Sequence, residues 1–237
     1  MSLNAFRYKW QAIKLRYRDY NFKQRILRLW SHCKRLNHTN NLDSSSTVFS
    51  TQPVSYTVDL FFYILDVFAI GELLETFSEW MKFNTRALNE QERMIVDSLF
   101  EGSIDVDRIR IDELSIFCRF MKIAFVGIYT IHSFGKMRES LFVHELIHIW
   151  QYENLGSVYI PRALRAQRSK DGYNYGGVEA LKSNNKDLLF YNYEQQGDIL
   201  ADYWRVKNKQ ATRWKNLTGT VVPYLPFIAQ IKGQNIA

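Results

Sequence analysis

Two histidines four residues apart, His144 and His148, enclose Glu145 in the sequence HELIH. On a helix that spacing puts both imidazoles on one face, within reach of a single ion, with Glu145 projecting beside them. Zinc suits such a set, because it takes neutral imidazole nitrogen and carboxylate oxygen in a tetrahedral site and leaves one position for water. It lowers the pKa of that water from about 15.7 towards ~7, so a neighbouring carboxylate can take the proton at neutral pH. Glu145 is the expected general base. The motif alone is short enough to arise by chance as two surface histidines and a solvated glutamate. Its flanks, Leu141, Phe142, Val143, Leu146, Ile147, Ile149 and Trp150, instead predict a helix buried nearly all round. Polar groups buried there need partners, since leaving them unpaired costs several kcal/mol, and a metal supplies them.

A catalytic zinc takes three protein ligands. No histidine follows His148, so the third is sought among the acids, and the stretch YNYEQQGDILADYW offers Glu194 with Asp198 four residues later. Read as one helical face, Glu194 binds the metal and Asp198 accepts a hydrogen bond from a ligand histidine, fixing its tautomer. Asp202, one turn further, is a weaker candidate for either role, and Glu153 and Glu179 are rival third ligands. A hydrolase also needs a donor for the developing oxyanion. Tyr175 is the first candidate, followed by Tyr173 and His132. Gln151, Gln195 and Gln196 are expected to satisfy neighbouring backbone or ligand groups. His32, Cys33 and His38 have no fourth ligand near them and carry no second site.

The elements that must position these groups are legible in part. The apolar run from Tyr56 to Met81 predicts one core helix, because Asp59, Asp66 and Glu72 are expensive at membrane depth. Asn89 and Glu92 have capping-box spacing, so a helix should start there, run to about Phe100 and end before Gly102. Asp107 to Ile111 reads as a short strand and Lys122 to Phe134 as the main one, dense in β-branched and aromatic residues and bordering the site. Helices follow from Arg138 to Tyr152, with Gly156 as terminator, and from Asn192 to Lys207. The expected class is α+β, a mainly helical domain with a small sheet bordering the HELIH helix.

The chain has 237 residues, 46% hydrophobic and 15% aromatic, enough to bury a core without disulfides. Its two cysteines, Cys33 and Cys118, lie far apart. The net charge of +7 is uneven: residues 1–40 hold ten Lys or Arg against the single acid Asp19. Such a charge run is usually a solvated helix face, and the apolar stripe Trp10, Ile13, Tyr17, Tyr20, Ile26 and Leu27 adds the alternative of docking against the body or an acidic partner surface. A linker over 41–55 joins the segment to a domain over 56–215, with a tail over 216–237. Nucleic acid is an unlikely partner, because no recognised motif accompanies the charge. No secretory signal opens the chain, so cytoplasmic synthesis is expected, with export by a specialised secretion system left open.

HELIHIWQ followed by NYEQQGDILADYW resembles the gluzincin arrangement, HExxH plus ExxxD, in which the later Glu is a ligand and the Asp supports it from behind. More closely, these stretches and ALNEQERMIVDSLFEGSIDVDRIRI (Ala87 to Ile111) are similar to uncharacterised bacterial zincin-like metallopeptidases, some encoded beside type VI secretion spike and Rhs-type proteins. The resemblance covers about residues 85–205. It implies a zincin-like fold, Zn2+ as cofactor, and a peptide or protein as substrate. Glu194 lies 46 positions after His148, a gap that leaves room for an insertion that shapes the cleft. The competing expectation is a zinc-stabilised structural or binding component of a secretion assembly with an occluded site. The intact Glu145 favours the enzyme, since a structural site needs no base and closes its fourth position with another ligand.

Overall fold

A computed structural model describes residues 3–18, 20–39, 53–82, 84–183, 187–214 and 219–233. Eleven α-helices and four short strands are found among them. The predicted linker, 41–55, falls almost entirely outside these residues.

The Tyr56 to Met81 run forms two helices, α3 (Pro53–Val67) and α4 (Ile70–Met81). Ala69 adopts a left-handed conformation (φ 53) between them and breaks the single helix expected there. The break turns Asp66 towards the chain's basic N-terminal helices, α1 (Leu3–Tyr17) and α2 (Phe22–Thr39). Arg28 bonds Asp66 at 2.8 Å, and Arg25 bonds both Asp66 and Glu72. Arg16 pairs with Glu75 at 3.2 Å and with Glu79 at 2.6 Å, all three side chains buried. Lys9 donates to the carbonyls of Glu79, Trp80 and Lys82, a cation where the end of α4 leaves its carbonyls exposed. Part of the basic charge of the N-terminal segment, on Arg16, Arg25 and Arg28, is therefore matched by acids of α3 and α4.

Asn89 caps α5 (Glu90–Phe100) with the reciprocal bonds of a capping box, as its spacing with Glu92 predicts. Strands β1 (Thr85–Ala87), β2 (Arg110–Asp112), β3 (Phe125–Val126) and β4 (Thr130–His132) make a mixed sheet in the order β1-β2-β4-β3. β1 runs antiparallel to β2, β2 parallel to β4 with Ile111 opposite Ile131, and β3 antiparallel to β4. The parallel pair needs a crossover, which includes α6 (Ile116–Met121). The single strand expected over Lys122 to Phe134 is thus a tight hairpin. Glu75 explains it, because its carboxylate accepts the backbone N–H groups of Ile128, Tyr129 and Thr130 at the turn.

The sheet lies beside α7 (Glu139–Leu155), which packs against α10 (Tyr193–Lys207). α8 (Tyr159–Gln167) and α9 (Gly177–Ser183) occupy the chain between them. The C-terminal stretch expected as a tail carries α11 (Leu225–Gly233), which places Phe227, Ile228 and Ile231 in the core. The class is α+β and mainly helical. Among the described residues no helix is long and apolar enough to cross a membrane.

Candidate metal centre

Helix α7 carries HELIH through the middle of the molecule, with Val143, Leu146, Ile147 and Ile149 fully buried around it. It ends at Gly156, whose φ of 73° is a left-handed position and where an added Cβ would strike the Asp66 carboxylate at 2.4 Å. Helix α10 begins where Asn192 accepts from the backbone N–H groups of Glu194 and Gln195 while Gln195 returns a bond to Asn192 N. That capping box puts Glu194 in the first turn, where the helix dipole favours a carboxylate.

The two helices bring His144, His148 and Glu194 together, each offering a ligand atom within 4.8 Å of the others. The Glu194 Oε2 atom lies 3.2 Å from His144 Nε2 and 3.7 Å from His148 Nε2. Ligands about 2.0–2.2 Å from a tetrahedral zinc stand roughly 3.3–3.6 Å apart, so these separations fit the ion. The outer nitrogens are occupied as a metal site requires. His144 Nδ1 meets Asp198 Oδ1 at 3.0 Å, and His148 Nδ1 meets Gln151 Oε1 at 2.9 Å. Gln151 in turn donates to Gln196 and to the Tyr193 carbonyl, which fixes its own orientation. Asp198 also accepts from Trp214 Nε1 at 2.7 Å and from the Arg213 guanidinium.

The electrostatics match a cation site. Burial opposes charge on His144, but its bonds to Asp198 and Glu194 win and push its pKa up to about 10. Burial would raise Glu194, yet the two histidines hold it down to about 2. A surrounding that keeps a proton on a buried imidazole is one that welcomes a dication. Glu145 is different. Burial raises its pKa against the pull of His144 and His148, and no hydrogen bond reaches its carboxylate among the described residues.

A cleft of about 710 Å³ opens onto all four groups, His144, Glu145, His148 and Glu194. Tyr173 and His132 also line it. The Tyr173 ring lies 5.7 Å from that of His144, and its hydroxyl accepts from Gln167, which leaves its proton free to donate. His132 is tied to Asp112 at 3.0 Å and stacks on Phe125. Tyr175, the first choice as oxyanion donor, does not reach the cleft. Its hydroxyl donates to Asp202 at 2.7 Å in a buried network with Tyr224, because the Asp202 carboxylate is the stronger local acceptor. Asp202 is accordingly no ligand. Glu153 faces Asp105 and Arg108 in another part of the molecule, and Glu179 pairs with Lys182 on the surface. Gln195 serves the helix cap and donates to the Asn174 carbonyl. His32 stacks on Tyr56 with Cys33 exposed beside it, and the His38 side chain lies outside the described part.

Sequence reasoning missed Gly197, Arg213 and Trp214. A Cβ at Gly197 would sit 2.6 Å from His144 Cε1, so the imidazole lies flat on the bare helix backbone. The signal was there, since an isolated glycine inside a helix costs about 1 kcal/mol against alanine and usually has a packing reason. Arg213 and Trp214 gave none, because they reach Asp198 from an irregular segment after the helix.

No protein-family profile matches the chain, and neither does any solved structure. Over 73 residues it is 37% identical to the type VI secretion system spike protein VgrG2b of Pseudomonas aeruginosa. The match takes in 30% of this chain and 7% of that protein, so the chain spans a small part of its relative's length.

Proposed function

We propose that the chain is a zinc-dependent hydrolase of the zincin type, most simply a metallopeptidase of gluzincin pattern. His144, His148 and Glu194 would hold the ion, Asp198 would position His144, and Glu145 would act as general base. One observation carries the reading. Glu145, a buried carboxylate that no hydrogen bond reaches among the described residues, faces a cleft beside a His–His–Glu set. A site that only stabilised the fold would need no such group and would close its fourth position with protein.

A zinc ion bound there supplies a Lewis acid and a water acidic enough to ionise near neutral pH. The remaining chemistry belongs to the chain. Glu145 takes the proton at its carboxylate and passes it to the leaving nitrogen of the scissile amide. Tyr173, with its free hydroxyl proton at the cleft, replaces Tyr175 as the donor for developing negative charge. β3 is one of the two edge strands of the sheet and lines the cleft, so it offers backbone groups to an extended peptide. The likeness to a stretch of a type VI spike protein supports export by a secretion system as the destination after cytoplasmic synthesis.

The test is zinc analysis paired with cleavage of a quenched peptide library. About one zinc per chain is expected, with Glu145→Gln retaining the metal and losing hydrolysis. Metal lost together with activity in that variant would make Glu145 a ligand, and no stoichiometric zinc after saturation and dialysis would refute the site.

A further inference from the structure

Helix α4 is built inside out. Its acids Glu72, Glu75 and Glu79 face inward against Arg25 and Arg16, while Leu73, Leu74, Phe77, Trp80 and Met81 are exposed. The exposed five recur at helical spacing, which makes one apolar stripe along the outer face. α6, which lines the same cleft, is also mostly exposed and apolar. Of its six residues only Cys118 is buried, and Ile116 and Phe120 are 69% and 79% exposed. Leu114 and Phe134, joined by a β-bridge, extend this second patch. Both helices line the cleft that holds His144 and Glu145.

Exposed apolar area on this scale marks an interaction surface, and its charge identifies the partner. From Leu114 to Arg138 the chain has no acidic residue and four basic ones, Arg119, Lys122, Lys136 and Arg138. Arg119 lies over the Phe134 ring and Lys122 is exposed at the end of α6, so cations sit among the protruding apolar side chains. The two patches stand on separate elements that line one cleft, and protruding apolar side chains with cations among them suit a soft surface. The longest stretch outside the described residues, 40–52, is rich in Ser, Thr and Asn and holds only Leu42, Val48 and Phe49 as apolar groups. It is ill suited to cover both.

We infer that α4 and α6 form a membrane-docking face that seats the cleft mouth on an anionic phospholipid bilayer. The apolar side chains enter the headgroup boundary, and Arg119 and Lys122 meet lipid phosphates. No part of this needs the metal or hydrolysis, so it stands or falls separately from the enzymatic proposal.

Co-sedimentation of the full chain with vesicles tests it, using phosphatidylcholine alone against phosphatidylcholine mixed with phosphatidylglycerol. Binding to the anionic vesicles is expected, weaker at high salt, and equal for the Glu145→Gln protein. Ile116→Ser combined with Phe120→Ser should lower partitioning by roughly 100-fold, about tenfold per inserted side chain. Melting should be unchanged, since neither residue is in the core. Arg119→Glu with Lys122→Glu should cost roughly fivefold or more per charge. Absence of binding to anionic vesicles overturns the inference. So does binding that neither pair of substitutions weakens, or a stable dimer that Phe120→Ser dissociates, which would assign the face to a second copy of the chain.

Discussion

Gly197→Ala places the sharpest demand on the proposed metal centre. The new methyl carbon would lie 2.6, 2.7 and 2.9 Å from His144 Cε1, Nδ1 and Nε2, where ordinary contact begins at 3.4 Å. The ring would have to retreat by about 0.8 Å, roughly four times the ±0.2 Å within which metal–ligand distances are held. It cannot slide freely, because Nδ1 is fixed to Asp198, and Asp198 is itself gripped by Trp214 and Arg213. Either that bond breaks or α7 and α10 part. Zinc affinity should therefore fall by at least the ~10- to 100-fold seen when a ligand's support is removed. Stability should move far less, since alanine favours a helix over glycine by about 1 kcal/mol while overpacking costs about 1–3 kcal/mol. Competition with a chromogenic chelator reads the affinity, and thermal unfolding of the metal-free protein reads the fold. Wild-type affinity in a variant that melts normally would refute the close approach of His144 to α10, and with it the assembled site.

Trp214→Phe removes one donor to Asp198 and should weaken zinc binding by about tenfold, with Asp198→Ala at the upper end of a ~10- to 100-fold range; chelator competition on both separates support from mere acidity. Removal of residues 1–39 should lower the melting temperature markedly, because it strands Glu75 and Glu79 without Arg16, and breaking a buried pair costs about 3–5 kcal/mol. An unchanged melt would mean that these pairs contribute nothing net. Glu153 supplies a pH dependence. Burial, opposed by Arg108, raises its pKa from the ordinary 4.5 to about 7, with Asp105 and Tyr129 as its other neighbours. The fold thus prefers the protonated acid: nothing is lost below pH 4.5, stability falls as pH rises towards 7, and the loss, at most about 3 kcal/mol, is complete above it. Glu153→Gln should melt higher than wild type at pH 8 and match it at pH 4, and equal curves at both would dismiss the buried acid.

The meeting of His144, His148 and Glu194 was readable because helix spacing alone converts HELIH and the Glu194–Asp198 pair into faces. Nothing distant had to be known beyond the meeting of two helices. Where the sequence misled, the deciding partner lay far along the chain. Asp59, Asp66 and Glu72 look like interruptions of an apolar run, and the cations of residues 1–40 look like a solvated face. The structure joins Asp66 and Glu72 to Arg25 and Arg28, so these acids and part of the N-terminal charge turn out to be one set of ion pairs, while Asp59 pairs with Arg162 and Arg165 of α8. The hairpin at Phe125–His132 hides for the same reason, since β propensity is high throughout and the turn is imposed by Glu75 from another helix. Tyr175 was ranked ahead of Tyr173, and two tyrosines so close in sequence cannot reveal which hydroxyl is already engaged.

Glu75 also connects the N-terminal helices to the site. Its carboxylate receives Arg16 on one side and the three N–H groups of the 128–130 turn on the other, and that turn leads directly into β4 and His132 at the cleft wall. Gly127, in the same turn, would bring an added Cβ to 3.0 Å from Glu75 Oε1, so the packing there has no slack. Without Arg16, the carboxylate would keep its backbone donors but lose its counter-charge in a buried setting, and breaking a buried pair costs about 3–5 kcal/mol, so the turn that Glu75 anchors would be less firmly held. The basic segment read from sequence as a detachable arm thus helps to hold the edge strand along which a peptide would lie.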